Sequence, residues 1–141
     1  MVDDALNRAF AFEIVFISIF AVVTIGVFCI AKHSDRMCAY AIGLLIALLL
    51  KIVVTVPFFK DYFGKNIIET SGVYVNINKS NSPSSRLGMH SVLLQTADET
   101  IKLVTVPLSK FPKEGKYYVK AYYTANSKQL VYIEIIEGIE E

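Results

Sequence analysis

IVFISIFAVVTIGVFCIA, from Ile14 to Ala31, contains no charged residue, and the apolar stretch from Met37 to Phe59 contains only Lys51. A helix needs about 20 apolar residues to cross a hydrocarbon layer of about 30 Å. The two stretches therefore predict a transmembrane hairpin. We place its first helix at residues 9–31, a short charged loop at 32–36 and its second helix at 37–59.

The composition of the chain agrees with a membrane protein. Of its 141 residues, 54% are hydrophobic, and the longest apolar stretches lie in the first half. The net charge of +1 argues against nucleic acid as a partner, because phosphate binding needs a basic surface. Both cysteines, Cys29 and Cys38, fall in the predicted hairpin, so no disulfide framework is expected in the remainder.

The N-terminal segment does not have the pattern of a cleaved secretory signal. Such signals have a basic start, an apolar stretch of roughly 7–15 residues and a small-residue cleavage site. Here the start contains Asp3 and Asp4, the apolar stretch is longer, and no such site follows it. We therefore predict that both helices are retained in an integral membrane protein, with the lipid bilayer as its first partner.

The orientation in the membrane depends on which basic residues are counted. The loop contains Lys32 and Arg36, whereas the tail at 1–8 has two aspartates beside its one arginine, which places the loop in the cytoplasm. Lys60 and Lys65 after the second helix favour the opposite orientation. Because the first helix usually dominates, we predict an extracytoplasmic C-terminal domain.

Two charged residues, Glu13 and Lys51, lie within the apolar region. Charge at membrane depth is costly and raises a functional question by default. At about 1.5 Å per residue the two positions differ in height by roughly 6–8 Å, which a lysine side chain nearly spans. Three interpretations stay open. Lys51 reaches the headgroup region and Glu13 already lies there, the two form an interhelical ion pair, or they line a proton or ion path.

Small residues recur along both predicted helices. Ala39, Gly43 and Ala47 are spaced four apart in the second helix, and Ser18 and Gly26 have a compatible spacing in the first. Close approach of backbones at small residues is a usual way for helices to associate in lipid. These residues either pack the two helices of the hairpin together or bind a second copy or a partner helix.

Aromatic residues cluster where both chain ends leave the predicted membrane, as in an interfacial belt. Pro57 should kink or end the second helix, and Lys60, Asp61 and Lys65 then mark the exit into water. The aromatic residues are Phe10, Phe12, Phe58, Phe59, Tyr62 and Phe63.

From residue 70 onward, apolar and polar residues alternate with the period of two that is typical of strands. After a linker at 60–69 we predict a β domain at 70–136, followed by an acidic tail at 137–141. Five short antiparallel strands favour closure into an OB-like or SH3-like barrel, because an open sheet would leave exposed edges. The strands are predicted within 70–77 and at 91–96, 101–106, 116–124 and 129–136.

Four tyrosines are concentrated in the fourth predicted strand. Since side chains alternate along a strand, either Tyr118 and Tyr122 or Tyr117 and Tyr123 must face outward. Exposed tyrosines are favoured at protein interfaces because they are rigid and amphipathic. This strand is therefore the candidate interaction face, with coverage of the domain rim and membrane surface as the alternative.

The end of the chain resembles that of small bacterial membrane-anchored β modules of unknown function. The resemblance is carried by the sequence GKYYV at 115–119, the tyrosine pair at 122–123 and the sequence NSK at 126–128. The layout of two helices and a β module is also similar to the OB domain of NfeD-type membrane proteins, which act beside membrane proteases and stomatins. The resemblance implies a bacterial plasma membrane and a partner that is itself a membrane protein.

No residue set predicts catalysis, a cofactor or a metal site. His33 and His90 have no carboxylate or cysteine at ligand spacing, and the common nucleotide-binding, hydrolase and metalloprotease motifs are absent. We therefore expect a protein that is not an enzyme.

Three functions remain in competition. The preferred one is a non-catalytic, membrane-anchored β module that scaffolds or regulates another membrane component, or associates with itself. The alternatives are a small immunity factor against a pore-forming peptide or phage, and a subunit of a channel or transporter that uses Glu13 and Lys51.

Overall fold

The computed structural model describes residues 1–31, 34–77, 89–107, 110–112 and 114–139. The first two residues of the predicted loop at 32–36, including His33, lie outside the described residues. The elements are α1 (Val2–Ala31), α2 (Asp35–Gly64), β1 (Ile67–Asn76), β2 (Ser91–Gln95), β3 (Thr100–Thr105), β4 (Lys116–Thr124) and β5 (Gln129–Ile139).

Both helices extend beyond their predicted limits at the end that joins the β domain. Each has 30 residues, which corresponds to about 45 Å, or about 15 Å more than a hydrocarbon layer. The predicted tail at 1–8 is thus almost entirely helical, and α2 continues past Pro57 until Lys65 takes a left-handed conformation with a φ of 50°. By length and composition, both helices are able to cross a membrane.

The two helices pack along a stripe with alternating spacings of three and four, which resembles antiparallel coiled-coil packing. The predicted small residues are not on this stripe. Ser18, Gly26, Ala39, Gly43 and Ala47 are all exposed, and a Cβ atom added at either glycine would meet nothing within 4 Å. The stripe consists of buried and half-buried residues, namely Ala9, Glu13, Ile17, Phe20, Thr24, Val27 and Ala31 in α1 and Met37, Ala41, Leu44, Leu48, Lys51, Thr55 and Phe58 in α2.

The interhelical contact between Glu13 and Lys51 gives a physical reason for this choice of face. Turning Ser18 and Gly26 inward would turn Glu13 to the far side of α1, away from Lys51, because each lies about 140° from Glu13 around the helix. In an apolar surrounding each charge would then lack its counter-charge, which costs several kcal/mol. Pairing of the charges therefore outweighs the closer backbone approach that small residues allow.

Hydrogen bonding connects the strands in the order β1-β2-β3-β5-β4, and β4 pairs with β1, so the pairings close a ring. The prediction of five antiparallel strands is wrong at one place, because β3 and β5 run parallel, with Val104 opposite Gln129 and Thr105 opposite Leu130. The reason is one of parity. An odd number of strands cannot alternate in direction around a closed ring, so at least one neighbouring pair must be parallel.

The last strand is longer than predicted. It continues to Ile139 and pairs with the start of β4, where Lys116 lies opposite Ile139, so the first part of the predicted tail at 137–141 is strand. The register between β4 and β5 shifts twice, between Tyr118 and Val119 and between Tyr122 and Tyr123. Beyond Leu130, β5 has no pairing with β3 among the described residues.

The interior of the β domain is formed by the inward side chains of all five strands. Tyr74 is the largest of them, and its hydroxyl donates a hydrogen bond of 2.7 Å to the carbonyl oxygen of Pro112. The buried set is Tyr74, Val92, Leu94, Leu103, Val119, Ala121, Tyr123 and Leu130.

Gly72 allows β1 to pair with β2 and β4 at the same time. A Cβ atom at this position would lie 2.5 Å from the carbonyl oxygen of Gln95, which is backbone of β2 and cannot rotate away. We expect Gly72→Ala to lower the free energy of unfolding by roughly 2–3 kcal/mol. Urea unfolding of the full chain in mild detergent, followed by circular dichroism, measures this change.

Gly138→Ala is the matched control, since a Cβ atom at Gly138 in β5 would meet nothing within 4 Å. The control should change the free energy of unfolding by less than about 0.5 kcal/mol. Equal effects of the two substitutions would contradict the role of Gly72.

Burial of Tyr74 predicts a loss of stability at alkaline pH. Removal from water raises the pKa of its phenol from 10.0 to about 12. Because the unfolded chain ionises first, the stabilisation is complete below pH 10 and is lost as pH rises through 12. We expect Tyr74→Phe to reduce the decline in the free energy of unfolding between these pH values.

Alkaline absorbance titration of the folded chain checks the assignment, because the chain has 8 tyrosines and no tryptophan. Wild type should show a late phenolate transition that Tyr74→Phe reduces, since burial also raises the pKa of Tyr123. Tyr118→Phe serves as control, since this tyrosine is exposed on the outside of the domain. An unchanged late transition in Tyr74→Phe would contradict the assignment.

Candidate functional site

A fully buried carboxylate connects the end of α2 to the β domain. The side chain of Asp61 has no exposed surface, although the sequence predicted it at the exit into water. Its Oδ2 accepts hydrogen bonds of 3.0 Å from the backbone N–H of Asn126 and 2.8 Å from that of Ser127. The Asn126 side-chain amide donates to Oδ1 at 2.6 Å, and the Ser127 hydroxyl donates to Oδ2 at 3.0 Å.

These contacts hold the turn between β4 and β5, residues 125–128, against the helix. Asn66, just after α2, accepts a further hydrogen bond of 3.0 Å from the N–H of Ala125. The Thr124 hydroxyl lies 2.6 Å from that of Ser127 and accepts the N–H of Gln129 at 2.8 Å. Because the turn is bound by the charged group and by backbone, its position relative to α2 is fixed.

Apolar packing surrounds this polar contact. The overhanging ends of both helices pack against the end of the sheet through a second buried cluster, which includes Phe58, Val106 and Val131. Phe10 and Tyr62 stack at 4.0 Å with an interplanar angle of 4°, and the Tyr62 hydroxyl donates to Oδ1 of Asn7 at 2.9 Å. Part of the predicted aromatic belt therefore lies in the contact between the helices and the β domain. We call this contact the junction: it consists of Asp61 with the turn at 125–128 and of the buried cluster around Phe58, Val106 and Val131.

Glu13 and Lys51 lie in contact one turn from the junction. Nζ of Lys51 is 2.7 Å from Oε2 of Glu13, and their side chains are 30% and 6% exposed. The approach is off the hydrogen-bond direction, so Oε2 accepts no hydrogen bond from the described residues. The ammonium also lies 5.2 Å from the centre of the Phe16 ring. Of the three sequence interpretations, this geometry is that of the interhelical ion pair.

The tyrosines of β4 divide as the alternation requires. Tyr123 is buried and Tyr117 packs against the interior, whereas Tyr118 is 41% exposed. Tyr122 belongs to the outward set, and its ring lies 5.9 Å from that of Tyr132 in β5.

An ion pair lies on the same outward face. Nζ of Lys120 is 2.7 Å from Oε1 of Glu69, and this contact raises the pKa of Lys120. Lys120 also lies 5.8 Å from the centre of the Tyr122 ring. The outward face thus combines aromatic rings with charges that are already paired within the domain.

A cleft of about 320 Å3 opens beside the junction. It lies between the first turns of α1, the segment after β3 and the middle of β5. Its lining residues are Ala5, Arg8, Val106, Pro107, Lys110, Phe111, Val131, Tyr132 and Ile133.

The described residues contain no group of three or more histidine, cysteine, aspartate or glutamate side chains that could hold a metal ion. His90 is buried, and its backbone N–H donates to the hydroxyl of Thr105 at 2.7 Å. Cys29 and Cys38 are free and exposed on the helices.

Comparison of the chain with protein-family models gave no match, and neither did comparison with curated proteins or with solved structures.

Sequence reasoning missed the central residue of the junction. Asp61 and the turn that it binds are separated by 65 residues, so no local pattern connects them. The sequence contains only an indirect indication of this contact. Asn126 and Ser127 together offer two side-chain donors and two backbone donors, which an acceptor distant in the sequence can bind.

Proposed function

We propose that the helical hairpin spans a membrane and holds the β domain in a fixed position at its surface, where the domain binds another membrane component without catalysing a reaction. The observation that supports this most directly is the junction around Asp61. A flexible tether would need no buried carboxylate, whereas a module that presents one face to a membrane partner must keep its orientation.

The surface of the helices supports a lipid surrounding. In each helix only 11% of the most apolar window is buried, whereas the core helix of a soluble protein would be mostly covered. Large apolar side chains are exposed on both helices, for example Ile19, Val22, Leu50 and Val54. An apolar surface of this extent is stable in lipid and prone to aggregation in water.

The strand order supports an OB-like β domain. OB folds are five-stranded Greek-key barrels, and here β1 contributes to both halves by pairing with β2 and β4. The parallel contact between β3 and β5 completes such an arrangement. The proposal is therefore an OB-like module rather than an SH3-like one.

The proposed binding surface, which we call the outer face, consists of Tyr118, Tyr122 and Tyr132 with the neighbouring end of β5. Ile139, opposite Lys116 of β4, is exposed there, and this part of β5 has one side without strand pairing among the described residues. Aromatic anchors and an open strand edge are features that protein partners use.

Photocrosslinking from single positions in the native membrane tests the proposal. A photoreactive residue at 118 or 122 should give one reproducible adduct with a membrane protein or a second copy. The same residue at Glu99, which is exposed in the turn between β2 and β3, is the control and should not give that adduct. The absence of an adduct from the outer face, or the same adduct from all three positions, would contradict the proposal.

Membrane insertion and orientation are tested separately. Alkaline extraction should leave the chain in the membrane pellet, and release into the supernatant would refute a spanning hairpin. We propose a bacterial plasma membrane with the β domain outside. In a background with Cys29 and Cys38 changed to serine, a cysteine replacing Asp98 should react with an impermeant maleimide in intact cells.

A further inference from the structure

The cleft beside the junction combines an apolar floor with two cationic side chains. Val106, Phe111 and Ile133 supply apolar surface, and Arg8 and Lys110 supply charge. No aspartate or glutamate is among its lining residues. The chain as a whole is nearly neutral, so this local excess of positive charge is not a consequence of composition.

Neither cation is paired with a carboxylate among the residues that the structure describes. Arg8 and Lys110 are both exposed, and neither has an ion pair in the part of the chain that the structure describes. The nearest acidic residue in α1, Asp4, lies one turn before Arg8 and has its carboxylate 4.0 Å from the amino terminus. The guanidinium and the ammonium are thus available to an anion from outside.

The height of the cleft matches the headgroup region of a membrane. Arg8 precedes Glu13 by five positions in the same helix, which places it about 7.5 Å further out. Glu13 contacts Lys51, so Arg8 lies at about the level of Val56, the last exposed aliphatic residue of α2 before Lys60. Arg8 therefore lies where the apolar surface of the hairpin ends and phosphate groups begin. The cleft has its cations at that height, beside apolar surface.

We propose that the cleft binds the phosphate of an anionic phospholipid, with Arg8 and Lys110 as its ligands and the glycerol and upper acyl chain against Val106, Phe111 and Ile133. The inference rests on the proposed position of the hairpin in a membrane. Arginine and lysine both bind phosphate well, and the apolar floor selects an amphiphile over a free anion. Lipid bound here would contact helix and β domain together and so strengthen the junction.

Phe111→Trp gives a reporter in the cleft, because the chain contains no tryptophan. The full chain is placed in phosphatidylcholine nanodiscs that contain a small fraction of acyl-brominated phosphatidylglycerol or, in parallel, of brominated phosphatidylcholine. From two cations near a membrane surface we expect the anionic lipid to be preferred by about 5- to 30-fold. Quenching by brominated phosphatidylglycerol should therefore far exceed quenching by brominated phosphatidylcholine.

Charge removal identifies the ligands. Arg8→Gln with Lys110→Gln should make the two quenchers equal, whereas Lys102→Gln, an exposed lysine of β3, should preserve the preference. Native mass spectrometry of the chain without the tryptophan should show the same loss of phosphatidylglycerol adducts. This second measurement covers the case in which Phe111→Trp disturbs packing.

Three outcomes would overturn the lipid site. They are equal quenching by both lipids in the parent chain, a preference that survives the double substitution, and abolition of the preference by millimolar inorganic phosphate, which would indicate a free anion as ligand. Retention in the membrane after alkaline extraction combined with any of these refutes the lipid site alone. Release by alkaline extraction refutes both the lipid site and the spanning hairpin.

Discussion

Asp61→Ala is expected to lower the free energy of unfolding by about 3–5 kcal/mol, because it removes a buried charged acceptor and leaves its donors unsatisfied. The backbone N–H groups of Asn126 and Ser127 would lose their partner at a buried site. The change would act on the junction first, since the turn at 125–128 would no longer be bound to α2. Urea unfolding of the full chain in mild detergent, followed by near-ultraviolet circular dichroism of the tyrosines, measures the loss.

Asp61→Asn separates charge from shape. The asparagine keeps one oxygen acceptor, but its amide group would face the donors of Ser127. We therefore expect Asp61→Asn to lower the free energy of unfolding as well, by somewhat less than Asp61→Ala. Asp98→Asn, at an exposed position in the turn between β2 and β3, is the matched control and should change stability by less than about 0.5 kcal/mol.

The junction prediction also has a geometric readout. In Asp61→Ala the turn at 125–128 should become accessible to limited proteolysis, and the photocrosslinks from Tyr118 and Tyr122 should become less specific. If Asp61→Ala matched wild type in stability and in proteolysis, the fixed junction and the proposed function built on it would both be wrong.

Glu13→Ala is expected to destabilise the hairpin by about 3–5 kcal/mol, because it leaves the Lys51 ammonium without its counter-charge in an apolar surrounding. Lys51→Met should also destabilise the hairpin, because it leaves the Glu13 carboxylate without its counter-charge, and Glu13 is the more buried of the two. The double variant Glu13→Gln with Lys51→Met removes both charges. We expect it to be more stable than either single variant that leaves one charge behind.

Thermal unfolding of the helical signal in detergent measures this coupling in a double-mutant cycle of Glu13→Gln, Lys51→Met and their combination. Lys60→Met is the control, since Lys60 is an exposed lysine of the same helix. Additive effects of the two single substitutions would show that the ion pair does not stabilise the hairpin. A double variant that is less stable than either single variant would contradict the argument that the pair selects the packing face.

Short-range pattern predicted much of the secondary structure. The strand at Lys116–Thr124 was predicted with its limits. The strand β2 ends one residue earlier than predicted, and β3 begins and ends one residue earlier. Apolar runs predicted two long helices, which the structure has. These features depend on side-chain period and chain direction over a few residues, so a single sequence contains them.

The sequence left open which tyrosines of β4 face outward. It also left open whether the small residues of the helices pack the hairpin or bind a second helix, and the structure leaves them exposed, outside the contact between α1 and α2. Both depend on rotation of an element about its axis, which is set by what the element packs against. For the helices the determining contact is Glu13 with Lys51. For β4 it is the interior around Tyr74, which Val119, Ala121 and Tyr123 share.

The sequence by itself determined that this chain has an apolar helical hairpin followed by a small β domain. Tertiary structure alone decided that the two are joined by a buried polar contact, because Asp61 meets Asn126 and Ser127 across 65 residues. It also decided the parallel pairing of β3 with β5, which follows from closing an odd number of strands. Periodicity reports which side of an element is apolar, whereas buried charge and ring closure are satisfied only by partners that folding brings together.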